Sequence, residues 1–402
     1  MQTLDHRILT INGGSSSIKF AIFDGIQMLN KTVSGQIDKI GKPEPTFKIE
    51  AADPGINFSR NIEASDYSVA TRTLMEWIER YTEKFHFTAI SHRIVTGGDR
   101  YFKPERITET MLTDLKRFSL FDPEHLPDEI HLIQSFLGRF KNIPQYACFD
   151  TEFHHDLPFV ARILPIPRHY EKQGVRRYGF HGLSYQYLMN ELTRENNAVP
   201  ERVILAHLGS GSSLAAVLNG KSIDTSMGFT PASGVLMSTR AGDLDPGLGL
   251  YLSLTEKMDA KDFNDMVNFK SGLLGISETS SDMKDLLAIE NQDVRAKEAI
   301  ELFCYQVKKY IGAFAAALGG IDTLVFAGGI GESAPSVRMR ICQGLGFLGI
   351  DLDQDRNSTH AGLISKSKSS VQVRVIHTDE EIMMAKAIGQ LVKNRKIEEA
   401  LS

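Results

Sequence analysis

Arg93, Asp150, His181 and Arg240 are the residues with which this sequence could do chemistry, because each keeps company that surface residues rarely have. Arg93 lies in the strand-like run Ala89-Ile-Ser-His-Arg-Ile-Val95, which ends in Thr96-Gly97-Gly98. An arginine inside such a run needs a partner. A carboxylate or phosphate suits its planar fork, and a structural salt bridge fits as well. Cys148-Phe-Asp-Thr-Glu-Phe-His154 places Asp150 just past a strand, where an aspartate can also be a turn former or a cap. Arg176-Arg-Tyr-Gly-Phe-His-Gly182 is denser, with His181 between an aromatic and a glycine. Asp224 to Pro231 and Thr239 to Pro246, the latter centred on Arg240, complete the set. Two arginines and a histidine can neutralise charge on a transferring phosphoryl group. Magnesium in such a site is usually held by one or two carboxylates plus phosphate oxygens and water. Glu380 and Glu381 are the candidates, although Glu381 also completes a capping box, Thr378-Asp-Glu-Glu381. No His/Cys group has zinc spacing.

The elements that must position these groups are marked by glycine. Ile8 to Asn12 and Ile18 to Asp24 are β-rich runs flanking a five-residue connection, Gly13-Gly-Ser-Ser-Ser17, which reads as a hairpin. Small residues turn tightly and leave N–H and hydroxyl donors uncovered, a concavity able to hold an anion. The pattern recurs: Val203 to His207, then Leu208-Gly-Ser-Gly-Ser-Ser213, then Leu214 to Leu218. Superposing Gly13 on Gly209 also matches Ser16 and Ser17 with Ser212 and Ser213, at an offset close to half the chain. Such a period suggests two copies of one α/β domain rather than a solenoid. Asn219-Gly220 then turns the chain into a further strand, Lys221 to Thr225. Ala299, Phe303, Val307, Ile311, Phe314 and Leu318 recur at helical spacing, and Gly319-Gly320 ends that helix. A buried strand, Thr323 to Ala327, leads into Gly328-Gly-Ile-Gly-Glu-Ser333, a strand–glycine turn–helix pattern that brings a nucleotide close to backbone N–H groups. Neither G-x-G-x-x-G nor G-x-x-x-x-G-K-[ST] occurs, so a Rossmann or P-loop scaffold is unsupported.

Tyr67, Ala70, Leu74, Trp77, Ile78 and Tyr81 form another helical stripe, and Thr88 to Val95 and Tyr146 to Phe149 read as strands. The chain has 402 residues, 42% apolar and 24% charged, with net charge −5. That length favours two or three domains, and scattered charge gives no footprint for nucleic acid. The start lacks a signal peptide's apolar stretch, and no segment approaches the ~20 apolar residues that span a bilayer. Cys148, Cys304 and Cys342 have no metal-like spacing and read as buried reduced thiols of a cytoplasmic enzyme.

Taken together, these segments resemble the acetate kinase family, which includes propionate and butyrate kinases. The resemblance is carried by Asn12 to Phe20, His92 to Gly98, Phe149 to His154, Arg177 to Gly182, His207 to Gly211, Asp224 to Pro231, Ser277 to Asp285, Gly329 to Glu332 and Thr378 to Glu381, in the family's order. It implies two duplicated actin-like (ribonuclease H-like) α/β domains flanking a nucleotide-binding cleft. The expected domains are residues 1–150 plus 382–402, a returning C-terminal helix, and residues 151–381. It implies reversible transfer of the ATP γ-phosphoryl group to acetate by direct in-line attack, with Mg²⁺ or Mn²⁺, in a cytoplasmic homodimer with no nucleic-acid or membrane partner. By similarity, Arg93 and Arg240 bind the carboxylate and the transferring phosphoryl group, with His181 assisting and Asp150 as catalytic acidic residue. Asn12 and Glu380 match the metal positions, and Lys19 a phosphate contact. His207, Leu208, Gly209, Ser210 and Gly211, with Asp282, Met283 and Lys284 and with Gly329, Ile330, Gly331, Glu332 and Ser333, surround ATP. Val95, Leu120, Phe180 and Pro231 match the small apolar pocket for the acyl methyl group.

The chain departs from the family pattern at Phe121, where a histidine is typical, and at Ser210, Leu183, Tyr185, Lys284 and Ser333. Phe121 bears on which short acid is taken. Ser210, Lys284 and Ser333 bear on the donor. The alternatives are therefore propionate or another short-chain acid, the same chemistry from a different donor such as pyrophosphate, and a non-catalytic actin-type ATP-binding module. A carboxylate is already a nucleophile at neutral pH, so the reaction needs no strong base.

Overall fold

The computed structural model describes residues 6–14, 16–26, 28–82, 86–119 and 122–401, leaving out the side chains of 82 and 394–401. Leu120 and Phe121 lie outside the described residues. The chain divides into two compact units, Met1–Glu152 with Asp379–Ser402, and Phe153–Thr378.

In the first unit, the largely buried β1 (Arg7–Gly14) and β2 (Ser17–Asp24) lead into β3 (Asn30–Asp38), β4 (Thr46–Ala51) and β5 (Phe58–Asn61), an antiparallel meander. β6 (Ala89–Ile94) joins β1 in parallel, β8 (Gln145–Phe149) joins β6 in parallel, and the short β7 (Glu105–Arg106) closes the edge. Among the described residues the sheet order is β5-β4-β3-β2-β1-β6-β8-β7. Leu9, Ile11, Phe20 and Ile22 of the sheet pack with Leu74 and Ile78 of the helix Tyr67–Thr82 and with Leu132 and Phe136 of the helix Leu126–Arg139. The last helix, Glu380–Leu401, packs on β1, β2 and β6.

The second unit repeats the central pattern. β9 (Arg202–Leu208), β10 (Ser212–Leu218) and β11 (Lys221–Thr225) are antiparallel neighbours; β12 (Thr323–Ala327) and β13 (Gln372–Val375) extend β9 in parallel. The order β11-β10-β9-β12-β13 matches β3-β2-β1-β6-β8 in both sequence of strands and direction. This is the duplicated actin-like, ribonuclease H-like architecture that the family resemblance implies, and it accounts for the repeat of an α/β unit. The helix Val294–Leu318 buries the whole expected stripe from Ala299 to Leu318, and Gly319 ends it with φ 69°. All three cysteines are buried and free.

Three local expectations need correction. The first hairpin has a shorter connection than its Gly/Ser run suggests, because Gly14 pairs with Ser17 inside the ladder. The second pairs Leu208 with Ser212 and His207 with Ser213, so a single offset cannot superpose both strands of the two hairpins. Glycine and serine do not exclude ladder pairing, so composition overestimates the loop. The third glycine cluster is itself helical, Gly328–Ser333, rather than a loop leading into a helix.

Candidate active site

In the first unit, β6 carries Arg93, Asp150 directly follows the end of β8, and parallel pairing sets Arg93 opposite Cys148. The guanidinium thus reaches Asp150, donating from Nη2 to Oδ2 at 2.7 Å, while Nη1 donates to the carbonyl of Gly13 at 3.1 Å. Asp150 is wholly buried, and its own N–H is tied to Ile94. Burial works against the charge on Arg93, but Asp150, Glu380 and Glu129 outweigh it and strengthen its hold on the proton. Its Nε is buried and has no hydrogen-bond partner among the described residues.

Glu129 was not singled out by the sequence. It reads there as an ordinary acidic residue in the first turn of a helix. It is buried, its Oε2 accepts from the N–H of Val95 at 3.0 Å, and Oε1 lies 3.8 Å from Arg93 Nη1. Val95 itself is buried just beyond β6.

Asn12 and Lys19 face each other across the β1–β2 ladder. Asn12 Nδ2 donates to Glu380 at 2.9 Å and to Glu381 at 3.3 Å. The capping-box reading of Glu381 is overturned. Asp379 caps the helix, accepting from the N–H of Ile382 at 2.9 Å, so Glu381 is left to face Asn12. Burial first, then the charge of Glu380, raises Glu381, and Lys19 opposes this. Among the described residues no group of three or more His, Cys, Asp or Glu side chains is arranged as a metal cage. An amide beside a carboxylate still fits magnesium, whose remaining ligands are ordinarily phosphate and water.

In the second unit, His181 stands before the helix Gly182–Asn196 with φ 60°, a left-handed conformation unusual for a side-chain-bearing residue. Its Nδ1 is hydrogen-bonded to Ser213 Oγ at 2.8 Å, and Ser213 Oγ to the buried Tyr185 phenol at 2.5 Å. A phenol is a stronger donor than an alcohol, so Tyr185 donates to Ser213 and Ser213 to Nδ1, which keeps the ring proton on Nε2. His207 stacks under His181 with ring centres 4.2 Å apart and is hydrogen-bonded to Ser184 at 2.8 Å.

The loop Gly209-Ser210-Gly211 joins β9 to β10. A Cβ built on Gly211 would lie 3.3 Å from His181 Nε2 and 3.7 Å from Arg240 Nη1, so both groups converge on this glycine. Arg240 Nη1 also donates to the carbonyl of Pro231 at 3.4 Å. Its backbone is pinned: Met237 N–H donates to the Arg240 carbonyl, Ala241 N–H to Val267, and Ser238 N–H to Ser210. Gly272, with φ 63°, fits only because it has no Cβ; one would come within 2.2 Å of the Met237 carbonyl and 2.7 Å of that of Arg240. Phe180 and Pro231 are buried here, and the Phe180 carbonyl is hydrogen-bonded to His154 at 3.1 Å.

Gly329 abuts the same loop, its N–H lying 3.8 Å from a Cβ built on Gly209. Glu332 accepts from the N–H of Gly328 at 2.8 Å and of Thr378 at 3.2 Å, and is bonded to His377 at 2.6 Å. Burial would raise Glu332, yet these donors hold it below the ordinary range. Buried Arg338 donates to the carbonyls of Gly331 and Glu332, both at 2.8 Å, and fixes the turn from behind. Leu208 and Met283 belong to the core, with Ile330 packed against it, so only their backbones face outward. Ser210, Lys284 and Ser333 are exposed, and Asp282 caps its own helix through the N–H of Lys284. His154, Tyr185, Ser213 and Arg338 are the other members that residue spacing did not flag.

The duplicated fold, with a histidine–arginine pair over a glycine loop, has the features of a phosphotransferase, and the family match that follows makes the acceptor a carboxylate. The chain belongs to the Acetokinase family, whose sequence model matches residues 7–386. It is 41% identical over 392 residues to the acetate kinase of Rhodopseudomonas palustris strain CGA009, covering 96% of this chain and 98% of that one. Among solved structures it is similar to a propionate kinase from Francisella tularensis (TM-score 0.87, 34% identity, 95% of this chain and 98% of the other). It is also similar to the acetate kinase of Porphyromonas gingivalis (TM-score 0.81, 33% identity, 94% and 98%).

Proposed function

We propose that the chain transfers the γ-phosphoryl group of ATP reversibly to acetate, giving acetyl phosphate and ADP. The observation that carries this reading is the convergence of His181 Nε2 and Arg240 Nη1 on Gly211. A glycine there leaves room for a phosphoryl oxygen between two donors, and a preorganised donor pair is what an in-line displacement between anions needs. In this reading Arg93, fixed by Asp150, receives the acceptor carboxylate next to Val95. The carboxylate oxygen attacks phosphorus as the bond to the ADP oxygen breaks, so no proton changes hands at the nucleophile. Asn12 and Glu380 would hold Mg²⁺, which supplies charge neutralisation at the phosphates when bound. Lys19, the residues 207–211 and 329–333, and the turn at Asp282 to Lys284 serve ATP.

Propionate is the second reading, since one similar structure is a propionate kinase and one methylene is worth only about 1–3 kcal/mol. We assign residues 1–152 and 379–402 to the acceptor-side domain and the intervening residues to the donor-side domain. A homodimer is supported by the helix Gly247–Glu256, which buries no residue and exposes Leu250, Tyr251 and Leu254. No described helix is long and apolar enough to cross a membrane, and with three free buried thiols a cytoplasmic setting fits. The test is a coupled acyl phosphate assay with acetate, propionate and butyrate against ATP, GTP and pyrophosphate. Acetate with ATP should give the highest kcat/KM, and Arg240→Ala should lower it about 10³-fold. Turnover with no pair would sink the reading, as would normal activity in R240A.

A further inference from the structure

Glu129 is a buried carboxyl to which phosphoryl transfer assigns no task. One guanidinium, Arg93, faces it and Asp150 together: Nη2 binds Asp150 at 2.7 Å, while Nη1 lies 3.8 Å from Glu129 Oε1. Oε2 is engaged by the N–H of Val95, and Oε1 makes no hydrogen bond among the described residues. The groups around it offer little further positive charge. Asp122 pairs with His125 at 2.9 Å on the approach to the same helix, Asp128 follows, and Glu380 adds its field to Arg93 from the last helix. From the helix Tyr67–Thr82 comes only the Tyr67 phenol, buried and without a hydrogen-bond partner among the described residues. Gly13, Gly14 and Glu124 complete the walls of the small cavity that Glu129 and Tyr67 share.

One cation cannot neutralise two buried carboxylates, and the one with fewer donors keeps its proton. That one is Glu129, with a single N–H, while Asp150 holds the guanidinium directly. We propose that Glu129 is a positioning residue that works protonated: neutral, it pins Val95 and leaves the Arg93–Asp150 pair without net charge, so that an anionic acceptor can approach the guanidinium of Arg93. The proton resides on Oε1, because Oε2 already accepts. Ionised Glu129 gives the cluster a net negative charge and turns the acceptor carboxylate away. Burial, the dominant cause, pushes Glu129 up to about 8, so the change falls near neutrality.

This inference rests on the reading of Arg93 as the acceptor site. If only the protonated form binds, the acceptor KM rises about tenfold between about pH 7 and about pH 9, with kcat little changed. Glu129→Gln should match the wild-type KM at about pH 6.5 and lose that rise. KM for ATP should stay flat in both proteins. An E129Q enzyme whose acceptor KM climbs with pH as steeply as wild type overturns the inference alone, as does a flat wild-type profile. A wild type that phosphorylates no short acid overturns the Arg93 reading and this inference with it. Should E129Q not fold, Glu129→Met removes the ionisable group together with the acceptor of the Val95 N–H, so its acceptor KM is expected to be raised at every pH yet flat with pH, and a KM that climbs as in wild type overturns the inference.

Discussion

Replacing Gly272 with alanine tests whether the Arg240 loop is held in place from behind. The new Cβ would lie 2.2 Å from the Met237 carbonyl and 2.7 Å from that of Arg240, against an ordinary contact of 3.4 Å or more. The Met237 carbonyl must therefore retreat by about 1 Å, and the Arg240 strand of the loop with it, because Met237 N–H is bonded to the Arg240 carbonyl. A φ of 63° adds about 1–2 kcal/mol of left-handed strain for alanine. A displacement of about 1 Å at a charge-stabilising group costs on the order of 10²-fold in rate. The expectation for Gly272→Ala is thus a kcat about 10²-fold lower in the acyl phosphate assay, with the unfolding free energy from urea denaturation lowered by about 1–3 kcal/mol. Gly312→Ala is the control. Gly312 lies inside the helix Val294–Leu318 with nothing within 4 Å of a built Cβ, so alanine should raise stability by about 0.5–1 kcal/mol and leave kcat alone. A folded G272A enzyme with kcat within about twofold of wild type would refute the claim that Gly272 sets the position of Arg240.

Ser213→Ala cuts the bond that holds His181 Nδ1, so kcat should fall about tenfold while KM for ATP stays within about twofold, and stability should drop by about 0.5–1.5 kcal/mol; a kcat equal to wild type would dismiss the tautomer argument. His92 is buried against Gln145 and Phe136, and burial lowers it from 6.5 to about 4. It is neutral in the fold while the unfolded chain takes up a proton below 6.5, so its contribution is intact above 6.5 and lost as pH falls towards 4. His92→Gln should flatten the fall of the urea midpoint between those values, and an unchanged slope would assign the acid sensitivity elsewhere.

The architecture was legible because it is periodic. β-Rich runs and Gly/Ser connections marked both hairpins, and the stripe from Ala299 to Leu318 is buried as spaced. The arginine inside β6 also announced a partner, and Asp150 supplies it. What the residues alone did not yield depends on long-range register. Glu129 looks like any acid in a first helical turn until the fold brings Arg93 within 3.8 Å. Arg338 sits in a short helix two residues before Arg340, and nothing local says that it is buried against two carbonyls of the helix Gly328–Ser333. Thr378 and Asp379 are both good caps by type. The choice falls to Asp379 because the Thr378 hydroxyl is taken by Ser184 at 2.8 Å.

The partnership of Asn12 with Glu380 spans 368 positions. A ribosome delivers the first strand of the first sheet long before the helix that covers it, whereas everything in Phe153–Thr378 is consecutive. The second unit can complete its core while the first, though begun earlier, still exposes the face of β1, β2 and β6 that awaits the last helix. Order of synthesis and order of completion are therefore reversed for the two halves. The contact between Asn12 and Glu380 closes last, so this part of the first unit is assembled only once the helix that begins at Glu380 has emerged.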